Sequence, residues 1–343
     1  MKPRDVILEQ IHHHETRPVP YTLAFEGDVE ERLDKHYGGK QWRDRLLTYM
    51  TGVHVVNTMK KTPAQREGCE VDPYGSVWRM DRRPFHLETP GLAEPSFKGY
   101  RWPAPEEFFV DEQDAAAARQ VCGKEKDQHF LMAGLGWGLF ETSWGIRGFQ
   151  NMLMDVASEP DFSAELLDRI TAQFLRYVEH TCVALPEIDA IMFGDDWGDQ
   201  RGVIIGPDRW RKLFKPRWAK VYAAAHARGK IVISHCCGSI VDILPDVIEI
   251  GLDVLESVQP EARGMNPYEL KRRFGDKLTF WGCLGSQSIV PHGSPQEIHA
   301  EVRRLRREMG QGGGFILTTA KGLQPETPTE NAAAIVDAFT SGG

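Results

Sequence analysis

The sequence predicts an α/β protein, a (β/α)8 TIM barrel with an N-terminal extension and a hairpin arm. From residue 128 onward, short apolar segments alternate with amphipathic ones. This alternation is typical of a parallel sheet covered by helices. The length of 343 residues lies within the range of one barrel with insertions. No G-x-G-x-x-G or G-x-x-x-x-G-K-[ST] motif occurs, and an open doubly wound sheet more often carries one. Closure into a barrel is therefore favoured over an open sheet.

The individual elements follow from this alternation. The predicted strands are VPYTLAF (19–25), FLMAGLGW (130–137), IDAIMF (188–193), KIVIS (230–234), VLESV (254–258), LTFW (278–281) and FILT (315–318). The predicted helices are 5–14, 145–157, 160–184, 207–228, 242–250, 266–274, 295–309 and 328–339. Residues 60–127 are rich in Pro and Gly, and DPYGSVWRM within them is interpreted as a hairpin arm. We expect one domain, 1–343, with an N-terminal part and arm (1–124) and the main barrel repeats (125–343).

Composition and charge restrict the class of function. The formal net charge is -8 and there is no basic block, which argues against nucleic acid as a partner. No apolar run approaches the roughly 20 residues that span a bilayer, and the N-terminus lacks the apolar core of a signal peptide. The six cysteines form no spaced disulfide framework, which indicates a reducing compartment. We expect a soluble cytoplasmic enzyme that acts on a small molecule and does not bind a membrane.

Polar side chains follow several of the predicted strands directly. In a barrel the active site is built where strands end, so these side chains are expected to meet at one edge. His235 and Cys237 stand two apart at a strand end, and their side chains therefore point the same way. An imidazole and a thiolate are zinc ligands, and a catalytic zinc needs about three from the protein. Cys283 and Glu256 are the candidates for the third ligand. Alternatively, each cysteine is a small buried apolar residue.

Carboxylates and a lysine at other strand ends are the candidate catalytic groups. Asp195 or Asp196 would act as a general acid or base, or would cap a helix or order loop amides instead. Lys321 would neutralise a substrate carboxylate or phosphate; the alternative is an exposed lysine.

Four further residues are candidate substrate contacts. Gln200 and Gln259 would hold polar groups of a substrate near the strand ends. Tyr74 and Trp78 would form an aromatic lid if the hairpin arm covers the barrel mouth, and core packing of the arm is the alternative.

Three long stretches resemble the uroporphyrinogen decarboxylase superfamily. They are GDDWGDQRGVIIGPDRWRKLFKP, HCCGSIVDILPDVIEIGLDVLESVQPEARGMNPYELKRRFGDKLTFWGCLGSQ and GGGFILTTAKGLQPETPTENAAAIVDAF. The resemblance covers about residues 125–340, and residues 1–124 only loosely through DPYGSVW. It implies the barrel fold and one of two chemistries.

The superfamily contains cofactor-free decarboxylases and zinc-dependent, corrinoid-linked methyltransferases. The decarboxylases grip their carboxylate-rich substrate with an R-Q-A-G-R-Y motif, whereas residues 21–27 read YTLAFEG and contain no arginine. The methyltransferases carry an H-x-C motif that His235 and Cys237 match. Their third zinc ligand is a Cys near the last strand, where this sequence has Lys321. Either Cys283, at the end of the preceding strand, substitutes for that ligand, or the site is metal-free or serves other chemistry.

Three functions remain open from the sequence. The first is a zinc-dependent, methyltransferase-like enzyme that moves a methyl group between a small substrate and methylcobalamin on a separate corrinoid protein. The second is a metal-independent decarboxylase or lyase that uses Asp195 or Asp196 together with Lys321. The third is a non-catalytic barrel that binds a small ligand. Analogy with related barrels implies a homodimer, and the substrate stays undetermined.

Overall fold

The computed structural model describes residues 1–82 and 84–341. Its strands are β1 (Met50–Val53), β2 (Thr62–Pro63), β3 (Cys69–Val71), β4 (Val77–Arg79), β5 (His86–Thr89), β6 (Phe130–Trp137), β7 (Ala190–Gly194), β8 (Ile231–His235), β9 (Val254–Val258), β10 (Thr279–Leu284) and β11 (Phe315–Thr319). Its α-helices are α1 (Pro3–Ile11), α2 (Val29–His36), α3 (Glu112–Glu125), α4 (Leu139–Arg147), α5 (Phe149–Ser158), α6 (Pro160–Ala184), α7 (Pro207–Leu213), α8 (Lys215–His226), α9 (Leu244–Glu249), α10 (Pro267–Phe274), α11 (Ile289–His292), α12 (Pro295–Met309) and α13 (Thr329–Thr340). Short 3-10 helices cover Gln41–Arg45 and Pro105–Phe108.

Seven strands form one parallel sheet in the order β1-β6-β7-β8-β9-β10-β11. The segment 19–25, predicted as a strand, lies beside the last of them and forms two isolated parallel bridges there. Tyr21 bridges Leu317, and Phe25 bridges Leu323. Within the first bridge, Leu317 N–H donates to the Pro20 carbonyl at 2.9 Å. The segment therefore occupies the eighth strand position, and the predicted α/β barrel is confirmed.

The hairpin arm is a second, antiparallel sheet in the order β2-β3-β4-β5. Its Trp78 ring packs edge-on against Trp137 at 5.2 Å and Trp144 at 5.9 Å between ring centroids. Trp137 ends β6 and Trp144 lies on α4. The arm is thus anchored to the barrel through three tryptophans, a geometry in which aromatic pairs are stabilising.

Local sequence signals explain where several helices begin and break. Ser294 accepts a hydrogen bond from Glu297 N–H while Glu297 bonds back to Ser294 N–H, a capping box that starts α12. The predicted helix 145–157 is instead two helices, which meet at Gly148 with φ 83°. The predicted helix 207–228 is also divided, and α8 begins with a proline in its first turn.

The side chains of β7 alternate between the helix layer and the barrel interior. Phe193 packs against Trp218 and Tyr222 of α8, with ring centroids 5.3 and 5.7 Å apart. Met192 and Gly194 therefore face inward. Register pairs Gly194 with His235, which places the His235 side chain on the same inner face. Among the described residues, no helix is both long and apolar enough to cross a membrane.

Candidate functional site

Three side chains converge at the carboxyl ends of β7 and β8. A carboxylate oxygen of Asp196, a ring nitrogen of His235 and the Cys237 Sγ lie within 4.8 Å of one another. Cys237 Sγ is 3.4 Å from His235 Nε2, and Asp196 Oδ1 is 3.6 Å from the same nitrogen. We call these three residues the donor cluster. All three are partly exposed, so a ligand can approach them from solvent.

His235 is oriented by a carboxylate on the neighbouring strand. Its Nδ1 is hydrogen-bonded to Glu256 Oε2, which leaves Nε2 facing Cys237 and Asp196. Burial alone lowers the pKa of His235, but the hydrogen bonds to Cys237 and Glu256 outweigh it and raise the pKa to about 11. Glu256 thus lies behind the imidazole and not within the donor cluster. A carboxylate in this position fixes the ring orientation of a metal-binding histidine.

The loops that carry the donor cluster touch through their backbones. Asp196 Oδ1 accepts a hydrogen bond from Cys237 N–H at 2.7 Å, and Ser239 N–H donates to the Asp199 carbonyl at 2.7 Å. A Cβ atom on Gly198 would lie 2.7 Å from the Ser239 carbonyl oxygen, and one on Gly238 would lie 2.6 Å from that of Asp199. Glycine is required at both positions, because any side chain would push the two loops apart.

Asp195 lies on the opposite side of the same loop and is fully buried. Its carboxylate accepts hydrogen bonds from the N–H groups of Phe140 and Glu141 at the start of α4, and from the indole N–H groups of Trp197 and Trp218. Burial raises the pKa of Asp195 to about 7, against the lowering effect of these donors. Asp195 therefore fixes α4 to the end of β7, which matches the amide-ordering alternative, and Asp196 is the aspartate that faces the mouth.

Glu141 is a site residue that the sequence analysis missed. It lies in the first turn of α4, where burial and the charges of Asp195 and Asp196 raise its pKa to about 8. Its carboxyl is therefore protonated at neutral pH beside the donor cluster. The sequence offered one signal, because Glu141 follows the apolar strand 130–137 as closely as the other candidates follow theirs.

Cys283 and Lys321, at the ends of β10 and β11, are not part of the donor cluster. The Cys283 thiol is buried, which raises its pKa, and the charge that acts on it comes from Glu301 of α12. Positive φ angles at Gly282 (135°) and Cys283 (80°) interrupt the regular alternation of side chains there. Lys321 is exposed at the surface.

The arm residues proposed as substrate contacts are packed inside the protein. Tyr74 is 6% exposed and its hydroxyl donates to Gln173 of α6 at 2.8 Å. Trp78 is 4% exposed and its indole N–H donates to Asp72 at 2.8 Å. These contacts correspond to core packing of the arm, the alternative left open by the sequence.

The two glutamines differ in their surroundings. Gln200 is exposed, and its carbonyl accepts a hydrogen bond from Arg263 N–H. Gln259 is buried, and its Oε1 accepts a hydrogen bond from Gly238 N–H at 3.1 Å. Gln259 thus supports the loop that follows Cys237.

Comparison with known proteins finds relatives for part of this chain. The curated relatives include a methylcobamide:CoM methyltransferase of Methanosarcina barkeri, 28% identical over 138 residues, which are 39% of this chain and 37% of that protein. A uroporphyrinogen decarboxylase of Coxiella burnetii is 25% identical over 184 residues, 52% of this chain and 47% of that protein. The matches thus span less than half the length of either relative.

The fold is shared along almost the whole chain. A solved structure, a methyltransferase from Methanosarcina mazei, superposes with a TM-score of 0.69 over 99% of this chain and 98% of its own, at 18% identity. The model of the family named uroporphyrinogen decarboxylase (URO-D), whose members include decarboxylases and methyltransferases, matches residues 124–341. The chain therefore belongs to the uroporphyrinogen decarboxylase family.

Proposed function

We propose that this protein is a zinc-dependent methyltransferase that moves a methyl group between a small substrate and a corrinoid. The observation that supports this most directly is the donor cluster at the barrel mouth. One imidazole nitrogen, one sulfur and one carboxylate oxygen are the ligand types that zinc accepts, and three protein ligands leave a coordination position for a substrate. In this proposal Asp196 takes the place of the third ligand that the sequence assigned to Cys283 or Glu256.

The surroundings of the donor cluster suit a catalytic metal. Glu256 is hydrogen-bonded to Nδ1 of His235, so Nε2 faces Cys237 and Asp196 and would be available to bind the ion. Cys237 N–H donates to Asp196 and keeps the carboxylate beside the thiol. A zinc ion bound there supplies Lewis acidity that makes a bound thiol or hydroxyl easier to deprotonate.

Glu141 is the residue that we assign to proton transfer. Its pKa of about 8 keeps the carboxyl protonated at neutral pH. It also lies close enough to Asp196 and His235 for their charges to affect that pKa. A carboxylic acid with a pKa near the operating pH is suited to accept or donate a proton during a reaction. Lys321 is left as an exposed group that would meet the partner or the substrate at the rim.

The corrinoid is proposed to come from a separate protein. One of the relatives is named for a methylcobamide substrate, and the described residues of this chain form the barrel and its arm. The open carboxyl edge of the barrel is where such a partner would present its methyl group.

Zinc content decides the first part of the proposal. We expect purified wild-type protein to contain about one zinc per chain and Cys237→Ser to contain less than about a tenth of that, because loss of a thiolate ligand removes most of the affinity. Transfer of the methyl group from free methylcobalamin to small thiols should fall in parallel, measured by the change in cobalamin absorbance.

Cys283→Ser is the matched control. Because this thiol lies outside the donor cluster, its substitution should leave the zinc content unchanged. Zinc retained in Cys237→Ser, or lost in Cys283→Ser, would contradict the proposed metal site.

A further inference from the structure

A cavity of about 370 Å³ lies at the end of the barrel opposite the donor cluster. Two segments of the chain form it, residues 15–19 and the last turns of α12 together with Gly310. The first segment leads into the strand segment 19–25, and the second precedes β11, so the cavity lies at the amino ends of these parallel strands. The donor cluster lies at the carboxyl ends of β7 and β8, so the cavity is a separate site.

Arginines dominate the charged lining of this cavity. Arg303, Arg306 and Arg307 of α12 are three and four residues apart, so they share one face of the helix. Arg17 lies on the facing segment, next to Glu15. Among the described residues the lining holds four arginines and one glutamate, a formal charge of +3, whereas the whole chain carries -8. Positive charge is therefore concentrated here against the overall charge of the protein.

Arg306 carries a half-buried charge that no carboxylate compensates within the described part of the chain. Its two terminal nitrogens donate to three backbone carbonyls at the C-terminal end of α13. Its Nε is buried and has no hydrogen-bond partner among the described residues. Burial lowers the pKa of Arg306, and the groups that act against this are the hydroxyls of Tyr21 and Tyr49. Because an unpaired buried charge is costly, an anion beside this guanidinium would stabilise it.

The other three arginines are accessible to a ligand. Arg303 is exposed and forms no hydrogen bond or ion pair with any described residue. Arg17 pairs with Glu15 at 3.3 Å and Arg307 with Glu308 at 2.9 Å, and these arginine side chains are 86% and 70% exposed. Exposed ion pairs contribute only about 0 to 1 kcal/mol, so a ligand can replace them. A guanidinium binds two oxygens of one carboxylate or phosphate group, so several of them suit an anion with more than one such group.

The remaining lining provides apolar contact and limits the size of the ligand. Pro18 and Val19 supply apolar surface, and the aliphatic stems of the arginines add to it. A Cβ atom on Gly310 would lie 2.6 Å from Val19 Cγ2, so this glycine allows the two segments to approach each other. The volume falls within the range of roughly 300 to 1,000 Å³ that is typical of small-molecule sites.

We propose that this cavity binds a small molecule that carries at least two carboxylate or phosphate groups on a short neutral body. Arg303 and Arg306 bind one anionic group from α12, and Arg17 binds the other from the facing segment. The inference does not depend on the proposed methyltransferase function, because no residue of the donor cluster lines the cavity.

Equilibrium dialysis of the full chain against radiolabelled probes tests the proposal. Glutarate carries two carboxylates, fructose bisphosphate carries two phosphates, and fructose is the uncharged control. We expect one of the two anions to bind at one site per chain with a Kd of about 1 mM or below at low salt. Binding should weaken at least about threefold in 0.15 M sodium chloride, because salt screens exposed charges. The anion that binds more tightly identifies the group that the site prefers. Failure of both anions to bind, or equal binding of fructose, would overturn the proposal.

Variants locate the binding site. Arg303→Gln and Arg17→Gln should each weaken binding of the anion at least about fivefold, because each removes a charged hydrogen-bond donor. Arg272→Gln on α10, at an arginine side chain that is 75% exposed outside the cavity, is the matched control and should bind like the wild type. Arg306 is not substituted in this test, because its bonds to α13 also support the fold. Wild-type affinity in Arg303→Gln, or an equal loss in Arg272→Gln, would contradict the assignment.

One further variant separates this cavity from the donor cluster. Cys237→Ser should bind the anion like the wild type, because Cys237 lies at the other end of the barrel. Loss of anion binding in Cys237→Ser would place the anion at the donor cluster and overturn the proposal. Loss of zinc in the same variant, with anion binding retained, would support both proposals independently.

Discussion

Asp195 and Asp196 are neighbours in the chain, yet they belong to different regions of the molecule. The Asp195 carboxylate points into the helix layer, where it is fully buried and accepts hydrogen bonds from four N–H groups. The Asp196 side chain points into the barrel mouth, is 40% exposed, and accepts one backbone hydrogen bond beside His235 and Cys237. The difference shows that a carboxylate at the end of a barrel strand can stabilise the fold or take part in chemistry. Which of the two it does depends on whether its side chain faces the helix layer or the barrel mouth.

The largest expected effect sharpens this comparison. Asp195→Ala should lower the free energy of unfolding of the metal-free protein by about 4 kcal/mol, because several buried N–H groups lose their acceptor at once. Asp196→Ala should lower it by only about 1 kcal/mol, because one partly exposed hydrogen bond is lost. Urea unfolding of both variants measures the difference. Equal losses would show that the two aspartates do not differ in the way the structure indicates.

A second variant tests whether Glu256 contributes to metal binding at the barrel mouth or only to the stability of the fold. Glu256→Gln removes the charged acceptor behind His235 Nδ1, and we expect zinc affinity to fall roughly 10- to 100-fold with little loss of stability. Competition with a chromophoric chelator gives the affinity. Glu249→Gln, a substitution at an exposed ion pair with Lys215, is the control and should bind zinc like the wild type. Wild-type zinc affinity in Glu256→Gln would show that this carboxylate does not contribute to metal binding.

Glu141 lies between the two regions, and its effect on stability depends on pH. Its pKa in the folded protein, about 8, is above the ordinary value of 4.5. The folded state therefore keeps a proton that the unfolded state loses, so its stabilising contribution is complete below about pH 4.5 and is lost as the pH rises to 8. Glu141→Gln should stabilise the metal-free protein by up to roughly 4 kcal/mol at pH 9 relative to pH 5, because each unit of pKa difference corresponds to about 1.4 kcal/mol. Urea unfolding of the variant and the wild type at pH 5 and pH 9 measures this. If the difference between the two midpoints is the same at both pH values, the pKa of Glu141 is not raised.

The strands of the main barrel were predictable because burial on both faces leaves a continuous apolar run. The run 130–137 matches β6, and 254–258 matches β9. β1, with the sequence MTGV, was missed because it is short and carries a glycine on its open inner face. The helix Glu112–Glu125 was missed because it follows a Pro-rich stretch and carries few apolar residues beyond alanine.

The site was predictable only as far as strand periodicity determines side-chain direction. His235 and Cys237 follow from alternation at a strand end. The direction of Cys283 does not, because positive φ angles at Gly282 and Cys283 interrupt the alternation. Which of Asp195 and Asp196 enters the mouth depends on contacts with α4 and α8 that no local pattern encodes.

The backbone contact between the loops at Gly198 and Gly238 has a consequence for motion. Since neither loop has room to shift past the other, they should open together as one cooperative unit. The amide hydrogen of Ser239, bonded to the Asp199 carbonyl, would then exchange with solvent deuterium only when both loops separate. Its exchange rate reports how often the two halves of the donor cluster come apart, and a metal that bridges them should slow that exchange.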